Sequence, residues 1–360
     1  MKGPWTARIA AEFAPAALTR LATTLAIGAA GGLLFTVAGL PAPWLSGAGL
    51  ASAAAAVAGV PITVPEWLKG VSLVVLGVIA GSAVTPDSIA MMVRWPLSLA
   101  GLAVCVGLIM VSVSVYLERV HGYDRATARL SAVPGAMPYV LALATTCEGA
   151  NTARVAIIQV VRLAALLIVL PAVLTEFGLT RPELAAPPRS TATLLDIALM
   201  TAAGTATGFA FKRFGVPAAW LFGPMVGAAA VTGSGLAGNA LPDWLTLPGL
   251  LVMGAMVGAN FAEMDVRLLR GTVLAGFGSV LVGAAAGIAC AIPVSYLLDL
   301  PVAQVWLAYA PGGVEAMAVM ALALGLDVAY VGGHHVARFL GLGVVVPFFL
   351  RKELARTRTD

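Results

Sequence analysis

Charge is what this chain has least of. Only 21 Lys and Arg and 17 Asp and Glu occur in 360 residues, or 11% charged, against roughly a quarter in soluble domains. With 60% hydrophobic residues and a mean hydropathy of +0.97, this excludes an ordinary soluble enzyme and predicts a polytopic membrane protein. No polar segment is long enough for a soluble domain. Histidine and cysteine are few as well, with three of each. Cys105, Cys147 and Cys290 are scattered through apolar sequence and read as small buried hydrophobes. No H-x-x-x-H or C-x-x-C occurs, so no metal and no cofactor is expected. No nucleophile elbow, phosphate loop or dinucleotide fingerprint is visible. The net charge of +4 comes from loop and tail residues that set membrane topology, so no nucleic acid is expected as a partner. The N-terminus, with Glu12 and two prolines before the first apolar run, does not read as a cleaved signal peptide.

What is present is a duplication. Gly28-x-x-x-Gly32 returns as Gly204-x-x-x-Gly208, and the turn Gly39 to Gly47 returns as Gly215 to Gly223, both at an offset of 176. Gly77-x-x-x-Gly81 returns as Gly254-x-x-x-Gly258 at 177. One such glycine pair is weak evidence. Several landmarks at a near-constant offset mark an internal repeat. The glycines read as helix-packing positions. Residues 1–175 and 193–350 are then two membrane repeats, joined by a Pro-rich linker at 176–192 and followed by a basic tail at 351–360.

The fourth landmark carries the chemistry. Ala310 to Arg338 holds Pro311, Gly312, Gly313, Glu315, Asp327, His334, His335 and Arg338 within an apolar run. Its weaker copy, Val133 to Arg162, aligns Pro134 with Pro311, Gly135 with Gly312, Asn151 with Asp327, Gln159 with His335 and Arg162 with Arg338. Helix breaks and ionisable groups are both costly at membrane depth, so together they indicate a substrate or ion pathway. Each half has five clear spans besides this segment. If the segment dips in and returns, the halves are inverted; if it crosses, they are parallel. Inversion places fifteen Lys and Arg inside and three outside, against thirteen and five for the parallel arrangement, with Arg154, Arg162 and Arg338 left in the motif. The fold expected is all-α, with two inverted repeats of about five transmembrane helices plus one re-entrant or broken helix each, and both termini cytoplasmic.

Several roles stay open on the residues alone. Arg162 and Arg338 can clamp a carboxylate or similar anion, or sit in structural salt bridges, Arg338 with Asp327 or Glu315. His335 shares a helix face with Arg338 and can carry a coupling proton or serve as a hydrogen-bonded helix-end residue. Glu315 is a proton or cation site or a helix cap. Asp196 reads as a helix-end residue. The change of His335 to Gln159 and Asp327 to Asn151 in the first copy points to one asymmetric site rather than two equivalent ones.

The paired G-x-P-x-x-W-L-x-G turns, with APGG and HH-x-x-R in the second half, resemble the AbrB-type duplicated membrane family over nearly the whole chain. That family is distinct from the soluble DNA-binding regulators of the same name. The resemblance implies two copies of one membrane module. Its functional labels are regulation of a DNA-repair-related gene and ammonia monooxygenase. The second label fits poorly, since oxygen chemistry by copper or iron needs a ligand cluster that two adjacent histidines do not make. The leading expectation is a secondary transporter in the inner membrane for a small solute, coupled to a proton or cation. The alternatives are a membrane-bound regulator and a membrane oxidoreductase. The bilayer and the solute are the expected partners, and the small-residue faces permit a homodimer.

Overall fold

The computed structural model describes residues 12–84, 93, 95–135, 137–179, 192–237, 241–262 and 264–350. Pro86 and Asp87, most of the Pro-rich linker and the basic tail lie outside them. All regular structure among the described residues is helical. The first seven helices are α1 (Pro15–Val37), α2 (Pro43–Val57), α3 (Glu66–Ser82), α4 (Trp95–His121), α5 (Arg125–Ala132), α6 (Met137–Ala144) and α7 (Thr152–Glu176). The same order of lengths returns as α8 (Leu194–Arg213), α9 (Ala219–Gly233), α10 (Asp243–Ala259), α11 (Val266–Leu298), α12 (Val302–Tyr309), α13 (Val314–Ala323) and α14 (Val328–Phe349).

Local signals set these boundaries. The G-x-P-x-x-W turns end the first helix of each half at a left-handed glycine, Gly39 or Gly215. They start the next at a left-handed alanine, Ala42 (φ 48°) or Ala218 (φ 52°). Asn151 and Asp327 cap α7 and α14, accepting from the Arg154 and Tyr330 amides at 3.0 and 3.1 Å. Asp196 forms a capping box with Thr193, as a helix-end residue should.

Among the described residues, six helices (α1, α4, α7, α8, α11 and α14) are long and apolar enough to cross a membrane. The other four spans expected from the sequence are α2, α3, α9 and α10, with 15 to 17 residues each. At 1.5 Å per residue they run only about 22–26 Å. They pack at the interface between the halves, where the glycines lie. Gly31 packs on Gly47, and Gly32 and Gly208 take the faces of Trp44 and Trp220. A side chain at Gly77 would strike the Leu221 carbonyl, and one at Gly254 the Leu45 carbonyl. The third helix of each half therefore packs against the second helix of the other: α3 on α9, and α10 on α2. Apolar side chains such as Leu33, Leu34, Leu194, Phe209, Leu274 and Leu281 are exposed on the outer helices, the surface a bilayer would cover.

The direction of the repeat is visible in helix register. Along α4 and α11, Gly101 abuts Val294, Val113 lies by Gly283, and the Tyr116 hydroxyl meets Gly278. One number rises as the other falls, so these two equivalent helices run antiparallel. By contrast, Gly77 and Gly81 of α3 meet Leu221 and Met225 of α9 in parallel. Both relations are those of inverted halves and the reverse of those in parallel halves.

Candidate functional site

The Pro-Gly segments are re-entrant. The Asn151 amide, at the start of α7, donates to Thr127 Oγ1 in the first turn of α5 at 2.8 Å. Arg154 stacks over the Tyr123 ring at 5.1 Å, also at that level. The chain from 127 to 151 therefore enters and returns to where it began. Deeper in, Gln159 bonds the Leu130 and Val133 carbonyls and Arg162 the Ser131 and Val133 carbonyls, so α5 descends alongside α7. In the second half His335 bonds the Leu307 carbonyl and Arg338 the Ala310 and Gly312 carbonyls, so α12 descends alongside α14. Each arginine is eleven residues beyond its helix cap, about 16 Å along the helix.

The two hairpins enter from opposite sides. Ser98, near the start of α4, meets His334 in the second turn from the α14 cap. Leu269, near the start of α11, packs on Ile157 and Val161 of α7. Since α4 and α11 are antiparallel, the two entrances face opposite ways and the tips converge. A β-carbon on Gly135 would sit 3.0 Å from Arg338 Nη2 and 3.1 Å from the Gly312 carbonyl. Gly135 has φ 78°, a conformation open to glycine and strained for other residues.

The arginines' partners differ from the salt bridges considered on sequence. Arg338 Nη1 donates to the Ala310 carbonyl at 2.6 Å and Nη2 to Gly312 at 2.5 Å. Arg162 Nη1 donates to Ser131 at 3.0 Å and Nη2 to Val133 at 2.8 Å. The broken helices leave these carbonyls without intrahelical donors, and the fork of a guanidinium matches two of them at once. Asp327 is spent as a cap. The first break thus has Arg162 on its Val133 carbonyl and Arg338 against Gly135, two residues on.

His335 is held in one tautomer by its partners. A carbonyl can only accept, so the Nε2 contact with Leu307 at 3.0 Å puts the proton on Nε2. Nδ1 then accepts from Arg338 Nη2 at 2.8 Å. Gln159 does the same work: its amide nitrogen donates to Leu130 and Val133, and its Oε1 accepts from Arg162 Nη2. The asymmetry expected from Gln against His is therefore absent from the hydrogen bonding.

True asymmetry lies elsewhere. His334 is fully buried. Its Nδ1 donates to the Tyr330 carbonyl at 2.8 Å and its Nε2 accepts from Ser98 Oγ at 2.9 Å. Ser98 also contacts the Tyr330 hydroxyl, and Tyr309 donates to the Ser98 carbonyl at 2.6 Å. In the register of the repeat, His334 corresponds to Ile158 and Tyr309 to Ala132, so the first hairpin has no such network. Glu315, in the first turn of α13, lies 3.9 Å from Lys69, which is 4.0 Å from Glu66. Glu66 and Lys69 lie in the first turn of α3.

Cys105 and Cys147 are buried and Cys290 is half-buried, as small hydrophobes would be. Cys105 and Cys290 lie close to each other on the α4–α11 seam. Only their cross-chain register reveals this. Among the described residues no three His, Cys, Asp or Glu side chains gather as a metal site.

Fold and site define a polytopic helical membrane protein with two re-entrant hairpins meeting tip to tip. Residues 44–353 match the family described as Transition state regulatory protein AbrB, and the chain belongs to that family. It is also 25% identical over 359 residues to the uncharacterized protein YhjN of Bacillus subtilis (strain 168), covering 91% of each chain. No solved structure matches.

Proposed function

We propose that the protein is a secondary transporter of a small anionic solute, bound where the hairpin tips meet and coupled to a proton or cation. The observation that carries this reading is the approach of Gly135 to Gly312 and Arg338 from opposite sides of the fold. A site reached by two hairpins of opposite entry is the arrangement that alternating access uses. The charge there supports an anion: two buried guanidiniums are held by carbonyls, and neither is paired with a carboxylate among the described residues. Each guanidinium has five N–H donors and uses three, which leaves donors for a carboxylate or similar group. In this reading the chain is a multi-pass inner-membrane protein with both termini cytoplasmic, since that orientation follows the positive-inside bias.

The test is thermal stabilisation of the purified protein by small carboxylates, amines and sulfonates, with Arg338→Lys and Arg338→Ala alongside. Binding raises the apparent melting temperature by mass action. The expected result is stabilisation by an anion class alone, lost in Arg338→Lys while that variant remains folded. Stabilisation by amines alone, or by nothing in the panel, overturns the reading.

A further inference from the structure

We propose that Glu315 is the proton-binding site that couples to the solute, and that Lys69 is the internal cation the proton displaces. This rests on the transporter reading above.

The placement comes first. Glu315 lies three residues after Gly312, at the deep end of α13. The ten residues of α13 put it about 15 Å from the side on which its hairpin enters. Lys69 reaches it from the other side, in the first turn of α3, whose end leads on to α4 and so to that hairpin's entrance. One hairpin tip thus carries a carboxylate contacted by a cation from the opposite face. The pair also joins the halves, α3 from the first and α13 from the second.

The pairing is loose. At 3.9 Å to Glu315 and 4.0 Å to Glu66, the Lys69 ammonium is beyond direct hydrogen-bond range of either, which is about 2.7–3.2 Å. It stands between two carboxylates at nearly equal distance. Glu66 is 72% exposed, while Glu315 and Lys69 are 31% and 27% exposed. Water thus reaches Glu66 freely and Glu315 only in part. Lys69 can turn wholly to Glu66 and keep a counter-charge, which frees Glu315 to take a proton.

The step balances. A proton from water forms an O–H bond on a Glu315 carboxylate oxygen. Lys69 keeps its three protons and moves to Glu66. The charge near the tips rises by one unit, so the two guanidiniums hold an anion more strongly, and proton and anion load together. The charged groups bearing on Glu315 are Lys69 and Glu66. The helices packed on α13 bring Arg162 from α7 and Arg338 and His335 from α14, all three hydrogen-bonded to backbone carbonyls, and Asp327, which caps α14. The repeat has no second copy of this pair. Pro138 stands where Glu315 would be and Thr246 where Lys69 would be, each at an offset of 177. A single coupling site in an otherwise repeated frame is what vectorial coupling requires.

The test is infrared difference spectroscopy of the full-length protein in lipid, titrated from alkaline to acid with no solute added. The expected result is a protonated-carboxyl band that Glu315→Gln loses, Glu66→Gln keeps, and Lys69→Gln carries to more alkaline pH. A band unchanged by Glu315→Gln overturns the proposal. So does a carboxylate signal at Glu315 that responds to added sodium and not to pH, which would make the site one for a metal cation. The readout is blind to the solute. A failure here with anion stabilisation intact sinks the coupling site alone, and the reverse outcome sinks the transporter reading.

Discussion

Gln159 and His335 make the same pair of hydrogen bonds at equivalent positions of the two repeats. Each donates from its Nε2 to the carbonyl of an equivalent leucine, Leu130 or Leu307, and each accepts from the arginine three residues on. An amide and a neutral imidazole with its proton on Nε2 present the same donor and acceptor.

Exchange between them should therefore be mild. His335→Gln is expected to keep the melting temperature close to wild type. His335→Leu leaves the Leu307 carbonyl and one Arg338 N–H unpaired, at a cost of about 1–3 kcal/mol. Thermal unfolding of both variants in detergent checks this. A His335→Gln variant as unstable as His335→Leu would refute the equivalence.

Arg162 should matter to the fold as much as Arg338 does. Arg162→Ala strips the first hairpin of the donor holding Ser131 and Val133. Leaving a buried carbonyl without its donor costs about 1–3 kcal/mol. Limited proteolysis should then open the segment between α5 and α6 first. A variant as protease-resistant as wild type would count against the pinning role.

The antiparallel α4–α11 seam makes a covalent prediction. Mild oxidation or a short thiol-reactive cross-linker should join Cys105 to Cys290, detected as a linked peptide by mass spectrometry, and should spare Cys147. Cross-linking of Cys147 with either of the others in preference would contradict the register of Gly101 on Val294.

The glycine contacts between halves should be intolerant of bulk. Gly254→Leu drives a side chain into the Leu45 carbonyl, and overpacking of this kind costs about 1–3 kcal/mol or more. Gly271→Leu, on the same repeat but with nothing within 4 Å, is the control. Equal melting temperatures for the two would show that the close approach of α2 and α10 is not required.

Much of this was legible in the residues. The duplication, the two breaks and the matched arginines follow from Pro134, Pro311, Arg162 and Arg338 and their spacing. The distribution of Lys and Arg favoured the inverted orientation over the parallel one by a small margin, fifteen against three compared with thirteen against five. Three things were hidden. The arginines' partners are backbone carbonyls, which every residue carries, so no residue type announced them. The likeness of Gln159 to His335 depends on a tautomer, which only the partner atoms fix. Lys69, Ser98 and Cys290 each meet a partner from the opposite half of the chain, beyond the reach of any local pattern. The nearest signals were Tyr309 and Tyr330, polar rings flanking the second break, and a lysine at the start of a small-residue span.

The exchange of third helices has a consequence for synthesis. When α7 leaves the ribosome, α2 still lacks the helix that fills its glycine face, and α3 lacks its own partner. Both wait for α9 and α10, which are made only with the second half. The first repeat must therefore enter the membrane as an unfinished sheaf of helices, held open until the second arrives. The translocon, or a chaperone that shields polar backbone in lipid, becomes an obligatory companion of this fold. Two fragments separated at the linker should regain their structure only when made side by side in one membrane.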